Sequence, residues 1–353
     1  MKILQVCPRY YPYIGGVEEH VRNISKRLAK KYEVSVFTTD PSGKLPKEEV
    51  INGVYVRRFK SWAPNEAYYF SRQLKKYLMK NSERYDVVHA HNYHAFPALY
   101  AAQAKGRNRL VFTPHYHGTG HTFFRSLLHI PYKYLGKRIF EKAEKIVCVS
   151  KYEKKLILNH FGVNEEKVMV IPNGVNLEEF KVLEKRKKDY RTILYIGRLE
   201  KYKGIQYLIR VLPRLCNDMV LEIVGKGSYK KSLVKLAGKL GVEDRVKFFQ
   251  DLPRTELLQK YADADLFVLL SVYEAYGISI AEALASGTPC IVAKTSALKE
   301  WIDDANCFGI DFPINLSQLE NLINNVIGKD LQKLKIPDWN ETTGKLVNLY
   351  ERC

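Results

Sequence analysis

Short β-branched or apolar runs alternate along the chain with longer stretches whose apolar residues recur at helical spacing, the pattern of a parallel sheet covered by helices. In the first half, Lys2 to Val6, Glu33 to Phe37, Val54 to Arg58, Asp86 to His89, Leu110 to Thr113, Lys145 to Val149 and Val168 to Ile171 read as strands. Val17 to Lys31, Ala67 to Asn81, Tyr132 to Ala143 and Lys151 to His160 read as helices between them. The rhythm restarts at Thr192 to Ile196 and continues through Val220 to Val224, Val246 to Phe249, Asp265 to Leu270 and Pro289 to Ala293. Two successive doubly wound α/β units follow from this, residues 1–180 and 190–335. A last helix, 339–353, is expected to pack back on the first unit. The boundary is placed in Pro172 to Arg191, where PNGVNLEEF is rich in turn formers and KVLEKRKKDYR is charged without an apolar period, the pattern of a solvated connector.

A length of 353 residues suits two domains, at roughly 100–200 residues each. With 46% apolar and 27% charged residues the chain is not a disordered one. No apolar run reaches the roughly 20 residues a membrane span needs, and MKILQVCPRYYP reads as a strand rather than a signal peptide. The six cysteines are scattered without a CxxC pair, as expected of reduced thiols in the cytoplasm. The net charge of +19 is uneven: residues 1–185 hold 32 basic and 17 acidic side chains, residues 186–353 hold 25 and 21. The excess thus lies in the first half, which points to an anionic partner there.

Two segments carry candidate chemistry. After the first strand of the second half, GRLEKYKG places Arg198 at the strand's carboxyl end and Lys203 just before a helix, Ile205 to Leu215. Open parallel sheets bind ligands at their strand ends, and an Arg fork with a mobile Lys charge suits a multiply charged anion. A solvated basic pair fits the same residues. Further on, SVYEAYGISIAEALASGTP places Glu274 in a loop, Gly277 and Ile278 at a helix start, and Glu282 eight residues after the first carboxylate. The helix start offers free amides to a diphosphate, and ionised carboxylates accept hydrogen bonds from sugar hydroxyls. Two surface glutamates flanking a helix would show the same spacing.

These segments, with VGKG at Val224 to Gly227, ASGTP at Ala285 to Pro289, PRYYPYIGGVEEH, TPHYHG, VSKYEKKLI, IPNGVN and PDWNETTGKLVNLY, resemble the retaining GT-B glycosyltransferases of glycosyltransferase family 4 in order and over nearly the whole chain. The resemblance implies two Rossmann-like domains facing across a cleft. It implies a nucleotide-diphosphate sugar donor, UDP- or GDP-linked, held by Arg198 and Lys203 at the diphosphate, Glu282 at the ribose and Glu274 beside the transferred sugar. Gly277 and Ile278 start the helix at the donor, the Gly15-Gly16 loop closes over its phosphate, and His115 lies near its sugar. Three departures from the common pattern, Gln250, Ala275 and the glycine-free TSALKE before Glu300, leave the donor's identity open.

All nine histidines precede the connector. The clusters HAHNYH and HYHGTGH suggest a metal site, but no cysteine or carboxylate completes either, and His89 is read as pointing to the opposite side of its strand from its neighbours. No cofactor and no essential metal are expected. Nor does the sequence offer a G-x-S-x-G elbow, a metal-binding Asp-x-Asp or a Walker A motif. The expected chemistry is a front-face transfer with retention to an acceptor hydroxyl: Arg198 and Lys203 stabilise the departing diphosphate, and His115 and Glu274 orient the sugar.

Competing readings are weaker. A nicotinamide dehydrogenase would need G-x-G-x-x-G straight after a strand, which CPRYYPYIGGVEEH lacks. A sugar-nucleotide epimerase of the same fold would act without an acceptor. A nucleic-acid binder would account for the charge, yet no zinc-finger, RNP or basic-helix motif is present and no nucleic acid is expected as a partner. The acceptor, a glycan or a lipid-linked or polar lipid, is expected to be served by the first half. There Gly118 to Lys145 mixes Phe123, Phe124, Leu127, Leu128 and Ile130 with Arg125, Lys133, Lys137 and Arg138. Such a surface suits an anionic membrane as well as an ordinary core-facing helix; peripheral association with the inner face of the cell membrane is the corresponding location.

Overall fold

The computed structural model describes residues 1–118 and 123–352, the side chains of residues 65, 123–131 and 133 aside. It divides into two compact units, residues 1–173 with 339–353, and residues 174–338.

In the first unit the strands are β1 (Lys2–Val6), β2 (Glu33–Asp40), β3 (Glu48–Ile51), β4 (Val54–Lys60), β5 (Val87–His91), β6 (Arg109–Thr113), β7 (Lys145–Cys148) and β8 (Val168–Val170). They form one sheet in the order β3-β4-β2-β1-β5-β6-β7-β8, parallel except for β3 against β4. Its inner strands are buried along nearly their whole length, as a sheet covered on both faces requires. Helices α1 (Gly16–Leu28), α2 (Arg72–Asn81), α3 (Phe96–Gln103), α4 (Phe123–Lys142) and α5 (Lys151–Phe161) connect the strands. The edge strand β3 has no counterpart among the expected strands. Its four residues, EEVI, are too polar to look like core; the Asn52-Gly53 turn, both residues at positive φ, is the hairpin signal that marks it. Helix α2 starts at Arg72, later than the expected Ala67. Ser71 caps it by accepting from the Leu74 amide, and Trp62 and Phe70 are paired as a bridge just before it.

The second unit begins with α6 (Leu177–Lys181) and carries β9 (Arg191–Ile196), β10 (Met219–Val224), β11 (Val246–Phe249), β12 (Leu266–Leu269), β13 (Cys290–Ala293) and β14 (Cys307–Ile310). All are parallel, in the order β11-β10-β9-β12-β13-β14. Its helices are α7 (Ile205–Val211), α8 (Lys230–Lys239), α9 (Arg254–Ala262), α10 (Ile278–Ala285) and α11 (Leu316–Val326). The order reverses direction between β9 and β12, which makes their carboxyl ends the switch point where this architecture takes ligands. β14 is absent from the expected strands: Gly309 interrupts its short apolar run.

Residues 174–190 belong to the second unit, although most of 181–187 is exposed. Val175 donates to the Pro337 carbonyl, Glu179 accepts from Arg254, and Arg186 pairs with Asp263. The final helix, α12 (Trp339–Arg352), lies in the first unit, where Trp339, Leu346 and Tyr350 join Val21 and Ile24 of α1 in one core. Tyr350 also holds its hydroxyl 2.5 Å from His89 Nδ1. Among the described residues no helix is long and apolar enough to cross a membrane.

Leu346 is fully buried. Leu346→Ala is expected to cost about 2–5 kcal/mol, read as a lower denaturation midpoint of the full chain; an unchanged midpoint would show that α12 adds nothing to the first unit.

Candidate active site

Four features of the second unit converge on the carboxyl ends of β9 and β12. β9 runs into Gly197-Arg198, where the Tyr195 hydroxyl donates to the Arg198 carbonyl and fixes the loop from below. The Arg198 side chain is exposed, and its Nη2 donates to the Tyr202 hydroxyl at 2.9 Å. Lys203 is instead buried, and its Nζ is paired directly with Glu274 Oε1. The loop carrying Glu274 is tied in place: its amide donates to Ser296 Oγ at 3.0 Å, and Val272 N–H donates to the Tyr202 carbonyl at 2.9 Å. The two sequence segments singled out for their charge therefore meet as a nearly dry cation–carboxylate pair.

Gly277, at φ 97°, caps α10, and Ile278 opens it. A side chain there would need a left-handed backbone and would press on Ile280 Cδ1 at 2.8 Å. Four residues into α10, Glu282 is 8% exposed, with Oε1 2.6 Å from Arg254 Nη1 and Oε2 2.9 Å from the Tyr261 hydroxyl. Arg254 also holds Glu179 at 2.8 Å. Burial works against the Arg254 charge, but the two carboxylates outweigh it and raise its pKa. Sequence reasoning missed Arg254, Tyr261 and Ser296; a basic residue opening a helix after Pro253 was the available signal for Arg254.

In the first unit, the Gly15-Gly16 segment leads from β1 into α1. Three anchors set its path: Arg58 Nη2 donates to the Tyr11 carbonyl at 2.7 Å, the Tyr13 hydroxyl to Asp40 Oδ1 at 2.7 Å, and Arg9 Nε to Glu18 Oε1 at 2.7 Å. Gly15 is extended, so its need is for space: a Cβ there would run into the Glu18 carboxylate that Arg9 holds. Burial opposes the charge on Asp40, yet hydrogen bonds from Ser42, Tyr13 and Leu45 prevail and bring its pKa down to about 2.

His115 follows β6 at φ 49°, a strained backbone for a non-glycine residue. Its ring lies 5.0 Å from that of His20 on α1 and 6.0 Å from that of His91 on β5. His89 and His91 face the same side of β5, with ring centroids 4.1 Å apart, contrary to the expected opposite orientation; residues two apart on a strand share a face. Burial keeps these imidazoles neutral, lowering His20 to about 4 and His91 and His115 well below the usual value. Of the basic and apolar segment 118–145, the side chains of Phe123, Phe124, Arg125, Leu127, Leu128, Ile130 and Lys133 lie outside the described residues, as do His121 and the side chain of His129. Lys137 and Arg138 are exposed, and Tyr134 is 79% exposed.

Comparison with known proteins gives a consistent picture. Residues 14–179 match the profile of Glycosyltransferase Family 4 and residues 177–336 that of Glycosyl transferases group 1. An uncharacterized glycosyltransferase of Methanocaldococcus jannaschii is 30% identical, over 99% of this chain and 98% of its own. A glycogen synthase of Mycobacterium tuberculosis is 31% identical over 85% of this chain and 80% of its own. Among solved structures, Anabaena HepE in complex with UDP-glucose superposes with a TM-score of 0.80 at 20% identity, covering 100% of both chains. A sucrose-phosphate synthase from Thermosynechococcus elongatus matches with a TM-score of 0.80 at 20% identity, over 99% of this chain and 98% of its own.

Two outcomes follow from the geometry. Gly277→Ala is expected to lose about 1–3 kcal/mol through backbone strain, measured by urea unfolding; no loss would mean that the α10 start relaxes freely. Asp40 has a depressed folded pKa, so its contribution is present above about pH 4 and is lost as pH falls toward 2. The stability gap between the wild type and Asp40→Asn should therefore narrow over that interval, and a gap constant from pH 6 to about pH 2 would contradict the assignment.

Proposed function

Because this chain belongs to glycosyltransferase family 4 and has its GT-B architecture, we propose that it transfers a sugar from a nucleotide-diphosphate donor to an acceptor hydroxyl with retention of anomeric configuration. The observation that carries this reading is the Lys203–Glu274 pair at the β9 and β12 ends, beside exposed Arg198 and the α10 start. A diphosphate arriving there supplies the anion that Lys203 otherwise finds in Glu274. Lys203 then turns to the phosphate, and Glu274 is released to accept hydrogen bonds from the hydroxyls of the sugar.

Glu282, held by Arg254 and Tyr261, accepts from the ribose. As the resemblance implies, Gly15 and Gly16 serve the donor phosphate and His115 the transferred sugar. In the transfer the bond from the anomeric carbon to the diphosphate oxygen breaks while the acceptor oxygen bonds to that carbon on the same face. The acceptor proton passes to the departing phosphate oxygen. Arg198, Lys203 and the α10 amides take up the developing negative charge, so the step is assigned neither a protein nucleophile nor a metal. A uridine donor is favoured by the UDP and UDP-glucose complexes of HepE. The +15 excess of residues 1–185, with Lys137 and Arg138 exposed, favours an acceptor at an anionic membrane surface.

The test is transfer from UDP-sugars and GDP-sugars, with the anomeric configuration of the first-formed product read by proton NMR. Retention is expected, with Lys203→Ala lowering kcat by about 10²–10³. An inverted product, or a Lys203→Ala rate near wild type, would sink the mechanism. Conversion of the donor without an acceptor would favour an epimerase.

A further inference from the structure

The histidine cluster of the first unit joins His115, which the proposed transfer places at the sugar, to His20 and His91, to which that reading gives no role. His20, His91 and His115 come from α1, β5 and the loop after β6, and each places one ring nitrogen within 4.8 Å of those of the other two. His20 Nδ1 lies 2.6 Å from the amide oxygen of Asn173, and His91 Nε2 lies 2.7 Å from that of Gln5. An amide oxygen only accepts, so these outer ring nitrogens carry the protons. The inner nitrogens, His20 Nε2 and His91 Nδ1, are then bare lone pairs. Both are buried without a hydrogen-bond partner, and so is His115 Nε2. Buried polar atoms without partners are costly, and at His20 and His91 they are bare acceptors that no neighbouring donor reaches.

We propose that this triad is a binding site for a divalent first-row transition ion, zinc in the first instance. Imidazole nitrogens suit zinc, copper, nickel and iron, whereas magnesium and calcium take oxygen ligands. Three imidazoles with one position open to water form a known zinc ligand set. The outer hydrogen bonds to Asn173 and Gln5 are what metal-ligating histidines show, since they fix the tautomer and the ring orientation. Two nitrogens on one tetrahedral zinc, at about 2.0–2.1 Å each, sit roughly 3.4 Å apart. Closing on the ion thus requires the rings to move by about an ångström, with His115, only partly buried, the easiest to turn. The candidates HAHNYH and HYHGTGH looked incomplete because the ligands are gathered across the sheet rather than within one segment; the missing third ligand is His20, on α1.

The test is a titration of the tag-free, chelator-treated full chain with Co²⁺, followed by visible absorption, which does not depend on sugar transfer. Intense bands of a four-coordinate ion are expected, saturating at one equivalent and abolished by added Zn²⁺. His20→Gln and His91→Gln should each remove them. Asn173→Ala keeps all three imidazoles and loses only the amide that orients His20; it should bind Co²⁺ about 10–100-fold more weakly, and it decides the matter should the histidine variants fail to fold. Only the pale spectrum of hydrated Co²⁺ with the wild type, bands that survive both histidine substitutions, or wild-type affinity in Asn173→Ala would overturn the proposal.

Discussion

The Lys203–Glu274 pair is the constraint on which the chemistry proposed for the second unit rests. Both side chains are largely withdrawn from water, at 11% and 16% exposure, so neither charge is well solvated and each depends on the other. Removing one partner of a buried pair costs about 3–5 kcal/mol, because it strands the other charge. That dependence holds Lys203 at the β9 end and Glu274 at the β12 end before any ligand arrives. The surrounding bonds serve the same end: Ser296 and the Tyr202 carbonyl fix the loop of Glu274, and Tyr195 fixes that of Arg198. In the proposed function, a diphosphate replaces Glu274 without leaving Lys203 unpaired.

The two units solve their positioning problems differently. In the second, charged side chains are locked by one another, as in the chain Glu179, Arg254, Glu282 and Tyr261. In the first, the candidate parts are backbone and imidazole. The glycine segment is held by hydrogen bonds from Arg58 and to Asp40, and the histidines are held by amides and by Tyr350 of the final helix. Through Tyr350 and Trp339, α12 reaches the histidine cluster itself. The final helix therefore supports the histidine cluster.

Much of this was legible in the sequence, for identifiable reasons. The inner strands are continuous apolar runs bounded by turns, so their existence and order along the chain could be read directly. β3 could not, because its hydrophobic signal is weak and its evidence is the Asn52-Gly53 turn. Arg198, Lys203, Glu274 and Glu282 stand out as candidates because they sit at strand ends or on the helix that follows one, where ligands of such sheets bind. Their partners do not: Arg254, Tyr261 and Ser296 meet them only through tertiary packing, and no spacing rule encodes that. The spatial grouping of the histidines is hidden from the sequence for the same reason. Grouping them by sequence neighbourhood missed His20, and assigning His89 to the wrong face of β5 hid how closely the rings stack.

The most direct measurement of the central claim is the difference in affinity between a nucleoside and its diphosphate, measured by calorimetry for uridine and UDP with the wild type and with the Lys203→Met/Arg198→Met double variant. If the strand-end cations hold the diphosphate, UDP binds the wild type far more tightly than uridine, and the difference collapses in the double variant. Equal affinities for uridine and UDP in the wild type, or a difference that survives the loss of both cations, would contradict the account.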